Sequence, residues 1–532
     1  MALNVAGGIA LLLVLVALSP GFINSDSASG ILLAQHLLES GQAWSRDWAY
    51  VSDSLGLDGR AQVAMAGVVL FGPTAEAFMF TACVGVACAL AAGYLLSRLL
   101  GASRGNAVTA SMLLLLGPSL IYLDLVVGLT ISIQMALVLC FVAALVAYTS
   151  RRGNIAVLLA ALAILAAMTL SSPKKALAYM VLPVIASGVV VILAHASGAI
   201  REQASRRRML IAVAAIVLVC AAGALGHQAL LRQLTVDASY AKLKLALTPS
   251  HLSGNAAEFA ELFARFAGSQ EAFVPAASVA GAVACLAVFF CAPFGGTKLR
   301  EFAVSPQGLA YLYAFFGSLV VTGYILTYET IRPYYGIYYV LVPLCPLLAV
   351  AAWSASRAPR DWIRRITRIA LAVGLLAGVV NVGEALDASR QQYVGMSIKQ
   401  RTTHADHVAV TDWLGRADLT RGFATYWEAN TITLLSGGTI RVTPIRTPAG
   451  GRMVRRMVWL AERDRVNYMP EDERWFILLP AKMSAAKLPP TCLPATAQAT
   501  VGASRIYVYD RVMPGCLQRP ARFGPRTRRK SG

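Results

Sequence analysis

Charged side chains are scarce in this 532-residue chain, where they make up 14% of all residues against 57% hydrophobic ones. Histidine is also rare, at six residues, and none of the six has metal-ligand spacing. The sequence contains no glycine-rich phosphate loop and no Ser-His-Asp arrangement. With a mean hydropathy of +0.61, these absences exclude the common soluble enzymes and predict a membrane protein.

Long apolar runs with few charges dominate the first three quarters of the chain. A helix needs about 20 apolar residues to cross the hydrocarbon, so the pattern predicts an all-α polytopic domain. A further apolar run, Ala61–Phe71, is too short to span, and we interpret it as an interfacial or re-entrant helix. If it crosses with a partner, the count of about 11 spans rises to 12 or 13. The predicted spans are Val5–Phe22, Phe78–Leu96, Ala107–Tyr122, Leu125–Tyr148, Ile155–Leu170, Ala176–Ala194, Leu210–Leu231, Val274–Phe294, Leu309–Tyr328, Tyr334–Trp353 and Ile369–Leu386.

The net charge of +20 is concentrated in alternate loops. With a cytoplasmic N-terminus, the five inner loops hold 15 Lys and Arg in 60 residues, and the five outer loops hold 9 in 109. Basic loops stay in the cytoplasm, so this bias predicts the orientation. It places the long loops 23–77 and 232–273, and everything after residue 386, on the outer side.

The C-terminal part differs in character from the membrane region. We predict a transmembrane domain over 1–386, a small extracytoplasmic α/β domain over 387–518 and a basic, disordered tail over 519–532. Apolar periodicity and glycine signals set the elements of the α/β domain. The predicted helices are Asp406–Arg416 and Trp427–Leu435, and the predicted strands are Gly422–Thr425, Thr439–Thr443, Trp475–Leu479 and Arg505–Asp510.

Cysteine occurs nine times, and seven of these residues lie in predicted spans, where cysteine behaves as a small hydrophobe. Cys492 and Cys516 are the two in the C-terminal domain. An oxidising compartment would permit a disulfide between them, and the sequence leaves open whether it forms.

Ionisable residues near lipid are costly and are therefore functional candidates. Those retained here gather on the predicted outer face. Asp26 follows the first span, Asp124 lies in a two-residue outer hairpin, and the outer loop of Asp26 also carries Asp47, Asp53 and Asp58. Basic and aromatic candidates are Lys174, Lys175, Arg332, Tyr334 and Tyr335.

This combination suits a reaction of a lipid-linked phosphate with an acceptor from outside. A carboxylate can activate an acceptor hydroxyl or hold a divalent ion, while Lys and Arg can bind a lipid phosphate. Each residue also has a plainer interpretation. Loop acids are commonly solvated or cap helices, outer Lys and Arg commonly reach lipid headgroups, and tyrosines commonly form an interfacial belt.

The order of these residues resembles the GT-C integral-membrane glycosyltransferases, in particular the protein O-mannosyltransferase and lipid A aminoarabinose transferase type. The resemblance covers about 350 residues of the membrane region. It rests on Asp26 after the first span, Leu70-Phe71-Gly72-Pro73 before the second, Asp124 at the fourth, Lys174 or Lys175 ahead of Leu182-Pro183, and Arg332-Pro333-Tyr334 before a proline-containing span. One departure is Asp26-Ser27, where the family often has Asp-Glu.

The resemblance implies inverting transfer of a sugar from a polyprenyl-phosphate donor to an extracytoplasmic lipid, glycan or protein. In this scheme Asp26 is the base and Asp124, or else Asp58, supplies a second carboxylate. Lys174, Lys175 and Arg332 hold the phosphate, and Tyr334 and Tyr335 contact substrate. A divalent cation stays open as a cofactor. The expected partners are the lipid donor, the acceptor and membrane lipids, with no nucleic acid. The Ala- and Arg-rich composition indicates a bacterium, so we expect an inner-membrane location with the C-terminal domain in the periplasm or outside.

Two other functions stay open from sequence. A transporter or flippase of a lipid-linked or small solute would place ionisable residues near the bilayer midplane, where this chain has almost none. A surface-polysaccharide polymerase or ligase would share the donor and concentrate bases in a mid-chain outer loop. Loop 232–273 does contain Arg232, Lys242, Lys244 and Arg265.

Overall fold

The structure is a computed structural model of the full chain. It describes residues 23–51, 55–57, 59–116, 131–150, 153–196, 203–237, 247–266, 299–327, 333–390, 404–446, 454–457, 460–462, 464–465, 473–483, 488–510 and 516–517. The helices in this part of the chain are α1 (Ser25–Ser40), α2 (Arg60–Phe71), α3 (Ala75–Leu99), α4 (Arg104–Leu113), α5 (Ile131–Thr149), α6 (Ile155–Ser171), α7 (Pro173–Ala176), α8 (Leu182–Ala196), α9 (Gln203–Leu231), α10 (Pro249–Phe266), α11 (Leu299–Ala303), α12 (Pro306–Thr327), α13 (Pro333–Arg357), α14 (Asp361–Arg390), α15 (His404–Arg416) and α16 (Tyr426–Leu435). The strands are β1 (Trp48–Val51), β2 (Thr235–Asp237), β3 (Arg421–Thr425), β4 (Arg441–Arg446), β5 (Arg455–Arg456), β6 (Ala461–Glu462), β7 (Trp475–Pro480), β8 (Ala497–Val501) and β9 (Ser504–Tyr509).

The chain forms two compact units, and each of them is built from segments that are not consecutive in the sequence. The first comprises residues 1–15, 83–227 and 243–387, and the second comprises 16–82, 228–242 and 388–532. The first outer loop and the C-terminal segment are therefore parts of the same unit.

Apolar helices build the first unit and confirm a multi-pass membrane protein. Six described helical segments are long and apolar enough to span: Ala75–Leu99, Ile131–Thr149, Pro173–Ala194, Arg206–Leu231, Pro306–Thr327 and Tyr339–Arg357. Two other predicted spans contain shorter helices, α4 with 10 residues and α6 with 17. The predicted spans Val5–Phe22 and Val274–Phe294 lie outside the described residues. The count of about 11 is not confirmed and stays a prediction.

A short π-helical segment, Leu177–Val181, joins α7 to α8. Pro183 has no N–H, so it cannot donate to the carbonyl of Tyr179 four residues earlier. The hydroxyl of Tyr313, on α12, donates to that carbonyl instead. Pro183 thus explains the local departure from α-helical hydrogen bonding. The Tyr313 hydroxyl supplies the hydrogen bond that the Tyr179 carbonyl would otherwise lack.

The helical part of the second unit begins with α1. Its N-cap Asn24 accepts from the backbone N–H groups of Asp26 (3.0 Å) and Ser27 (3.1 Å), and the Ser27 hydroxyl accepts from the Asn24 N–H (3.0 Å). This capping box starts the helix directly after the first predicted span. The short apolar run predicted as a non-spanning helix is α2, which ends at Gly72 with φ 73°.

A six-stranded mixed sheet, ordered β5-β4-β3-β7-β9-β8, forms the C-terminal part of the second unit. Strands β4, β3 and β7 are parallel, and β5, β9 and β8 pair antiparallel to their neighbours. Alternate residues of β7 enter two cores, because a strand's side chains point to opposite faces. Helices α15 and α16 supply one core, and the other includes a disulfide between Cys492 and Cys516. The predicted small α/β fold is confirmed, together with all six of its predicted elements.

Candidate functional site

Asp26 occupies the first turn of α1. The capping Asn24 positions its backbone, and the partial positive charge at the helix N-terminus favours an acid there. Its backbone oxygen also accepts a hydrogen bond from the Ser29 hydroxyl at 2.7 Å. The local sequence Asn24-Ser25-Asp26-Ser27 therefore fixes the carboxylate at a rigid helix start.

Two side-chain hydrogen bonds connect this turn with the start of α16, within the second unit. The Tyr426 hydroxyl donates to Oδ1 of Asp26, and the Ser25 hydroxyl donates to the backbone oxygen of Tyr426. Ser25 is fully buried and Tyr426 is 7% exposed. The carboxylate is therefore held by a residue about 400 positions later in the chain.

Asp26 is exposed as a residue, but its carboxyl has protein neighbours, because the hydrogen bond from Tyr426 is partly buried. Protein atoms around it replace part of its hydration, and this desolvation raises its pKa above the ordinary 3.8. The hydrogen bond from Tyr426 and the positive charge of Arg60, at the start of α2, act in the opposite direction. Asp26 is thus an exposed acid whose carboxyl pKa is raised by desolvation, and the ionised carboxylate can act as a proton acceptor.

The first unit contains the lysine pair. Lys174 and Lys175 lie in α7, directly before the π-helical segment, and both are half-buried. The Lys175 ammonium lies 5.7 Å from the ring centroid of Tyr339, which is itself 6.3 Å from the ring of Tyr179. A cation over an aromatic face gains about 0.5–1 kcal/mol at an accessible site, so the ring of Tyr339 helps to hold this charge in place.

The other predicted site residues are only partly visible. Asp58, Asp124 and Arg332 lie outside the described residues, as does Asp53. Tyr334 and Tyr335 lie in the first turn of α13, and only their backbone is described. Within the described ranges, no three His, Cys, Asp or Glu side chains converge as a metal site would require. The role of a divalent cation stays untested.

Sequence reasoning missed three residues at this carboxylate: Ser25, Arg60 and Tyr426. Ser25 and Arg60 belong to the polar loop that the sequence did single out. Tyr426 precedes a helix predicted to begin at Trp427, and a tyrosine at a strand-to-helix junction carries no signal of its distant partner. The C-terminal domain contains several tyrosines, and the sequence does not distinguish Tyr426 from the others.

Comparison with solved structures identifies the fold. The chain is similar to ArnT from Cupriavidus metallidurans bound to undecaprenyl phosphate, at a TM-score of 0.55 and 11% identity, over 95% of this chain and 97% of that one. This is the fold of a GT-C enzyme, and it confirms the predicted resemblance. ArnT in the apo state (TM-score 0.43, 12% identity, 95% and 98% covered) and the arabinofuranosyltransferase AftD from Mycobacteria (0.42, 13%, 94% and 40%) also match. No family model and no curated protein sequence matches the chain.

Proposed function

We propose that the chain is a membrane glycosyltransferase that moves a sugar from a polyprenyl-phosphate donor to an extracytoplasmic acceptor, with inversion. The fold likeness to a lipid A aminoarabinose transferase supports this class of enzyme. That structure contains undecaprenyl phosphate, a lipid phosphate of the kind proposed here as the leaving group. We further propose a bacterial inner membrane location with the C-terminal domain in the periplasm.

The observation that carries the proposal is the geometry at Asp26, an exposed acid in the first turn of α1 whose Oδ1 accepts a hydrogen bond from the Tyr426 hydroxyl. In the proposed step the carboxylate takes the proton of an acceptor hydroxyl. The acceptor oxygen bonds to the anomeric carbon from the face opposite the phosphate, and the bond from that carbon to the phosphate oxygen breaks. The electron pair leaves on the phosphate, so the products are an inverted glycoside and a polyprenyl phosphate.

Lys174 and Lys175 are proposed to stabilise the charge that develops on the leaving phosphate, together with Arg332. Fixed positive groups are effective there because charge grows at that position during the step. Tyr334 and Tyr335 are proposed to contact substrate, and Asp124 or Asp58 to orient the acceptor or a divalent cation. No acid catalyst is needed, since a phosphate monoester anion is a good leaving group.

The decisive experiment is lipid analysis of cells that express the wild type, Asp26→Asn or Lys175→Gln. Both variants should accumulate one polyprenyl-phosphate sugar, seen by mass spectrometry of extracted lipids, because removing the base or a phosphate ligand slows its consumption. Glu39→Gln is the matched control, since Glu39 is an exposed acid of the same outer loop and has no proposed role. Equal lipid profiles in all four strains, at equal protein levels, would exclude transfer chemistry and favour transport.

The orientation has its own test. In a chain whose span cysteines are replaced by alanine, Ser40→Cys in the first outer loop should react with an impermeant thiol reagent on whole cells. Ser103→Cys, in a predicted inner loop, should react only after lysis. Both serines are exposed, so reagent access is comparable. The reverse pattern would place the Asp26 carboxyl on the cytoplasmic side and contradict the proposal.

A further inference from the structure

The contact between α1 and α16 has an arrangement that simple packing does not require. Apolar contacts are enough to pack these two helices together, and Ile31 and Ala34 of α1 do share one hydrophobic core with Leu434 of α16. At the N-terminal ends the contact is polar instead. The Tyr426 hydroxyl faces the carboxylate, and the Tyr426 carbonyl is fixed by the buried Ser25 hydroxyl.

The hydrogen bond distinguishes the two oxygens of Asp26. A carboxylate accepts at both oxygens, and Tyr426 occupies Oδ1. Among the described residues, no hydrogen bond reaches Oδ2. Tyr426 is anchored through its own backbone as well as its hydroxyl, so a partial rotation of the carboxylate would break this bond, and a half-turn would only exchange two equivalent oxygens. Oδ2 is therefore held in one orientation and stays available to a proton.

We propose that Tyr426 is the positioning residue of the catalytic base, holding Oδ1 of Asp26 so that Oδ2 accepts the acceptor's proton. Its role in catalysis rests on the proposed transferase function, and the hydrogen bond itself does not. The C-terminal segment then contributes to the reaction through the first residue of α16, which positions the base.

Charged and titratable groups also lie on the elements that pack around this contact. Arg60 on α2 acts on Asp26 electrostatically. On α16, Glu428 is buried and accepts from the Thr425 hydroxyl. On β6, Glu462 lies 4.0 Å from His36 of α1. Substitution of Tyr426 by phenylalanine leaves all of these groups in place and removes a single hydroxyl.

The first test measures the pH dependence of Asp26 directly and needs no substrate. The full-length protein in detergent is labelled with a water-soluble carbodiimide and an amine, which modify protonated carboxyls, and is then digested with trypsin. The tryptic peptide that ends at Arg46 carries, within residues 1–46, only two carboxyl side chains, Asp26 and Glu39. Glu39 is exposed and serves as the internal reference.

In Tyr426→Phe, the midpoint pH for labelling of Asp26 should rise by about 1 unit, because a hydrogen bond to the ionised form is lost. The midpoint of Glu39 should not change. Tyr507→Phe is the matched control, since it also removes a buried tyrosine hydroxyl from the second unit, one without a partner among the described residues. An unchanged Asp26 midpoint in Tyr426→Phe, with the protein folded, would overturn the assignment.

The second test joins the contact to catalysis. Tyr426→Phe should cause the accumulation of lipid-linked sugar seen in Asp26→Asn, while the double variant should be no worse than Asp26→Asn alone. Additive losses would mean that Tyr426 acts elsewhere. If Tyr426→Phe shifts the labelling midpoint but no variant changes the lipids, the contact is real and the transferase function is wrong.

Discussion

His407 predicts a specific acid sensitivity of the C-terminal domain. This histidine lies on α15, is 8% exposed and has no hydrogen-bond partner at either ring nitrogen among the described residues. Burial, reinforced by the nearby His404, lowers its pKa from 6.5 to about 4, against a smaller effect of Asp406 in the other direction. The folded domain therefore strongly prefers the neutral ring.

The sign and size follow from the two pKa values. Because the folded-state pKa is depressed, the stabilisation is complete above pH 6.5 and is lost as the pH falls towards 4. At pH 5 the unfolded ring is mostly protonated and the folded one is not. pH 5 lies about 1.5 units below the unfolded-state pKa of 6.5, and each unit is about 1.4 kcal/mol, so protonation of the unfolded ring lowers the unfolding free energy by about 2 kcal/mol. His404, whose pKa burial also lowers, adds to the loss in the same direction.

Hydrogen exchange measures this loss in the full-length protein. After correction for intrinsic exchange rates, the amides of β7 should exchange faster at pH 5 than at pH 7. A loss of about 2 kcal/mol in unfolding free energy corresponds to roughly 30-fold faster exchange. His407→Phe keeps an aromatic ring at this position and removes the titration, so most of this pH dependence should disappear. Equal pH dependence in both proteins would refute the reasoning, because the ring would then not be the group that couples protonation to unfolding.

Three further predictions concern stability and the Asp26 carboxyl. Gly422→Ala should destabilise the domain by about 1–3 kcal/mol in chemical unfolding, because the added Cβ would lie 2.6 Å from a backbone oxygen of the next strand. Replacing Cys492 and Cys516 with serine should cost about 3 kcal/mol, since the disulfide closes a segment of 24 residues, and protease resistance would report it. Arg60→Gln should raise the labelling midpoint of Asp26, because it removes a positive charge that lowers that pKa; a fall would contradict this electrostatic assignment.

Local patterns predict the elements of the C-terminal domain well, for reasons visible in particular residues. Trp475–Leu479 is a continuous apolar run because β7 is buried on both faces of the sheet. Gly437 and Gly438 have φ values of 61° and 82°, which makes the end of α16 readable from sequence. The strand β8 was missed because it is an edge strand, mostly exposed, and Val501 is its only large apolar residue.

The charged residues of the candidate site are predictable from sequence, and the tyrosine that holds the carboxylate is not. Asp26 and the lysine pair stand out because charge beside lipid is costly. Tyr426 has no such signal. Its partner Asp26 lies 400 residues earlier in the chain, and short-range sequence patterns carry no information about contacts at that separation. The π-helical segment is similar: Pro183 is visible in the sequence, but the Tyr313 hydroxyl that satisfies the Tyr179 carbonyl is not.

The interleaved second unit has a consequence for biosynthesis. Asp26 leaves the ribosome long before Tyr426, and at 5–20 residues per second the 400 residues between them take about 20–80 s. During that time the first outer loop has no partner for the start of α1. A chain arrested before α16 would contain every predicted span and still lack the hydroxyl that holds the carboxylate, so completion of translation itself assembles this part of the protein.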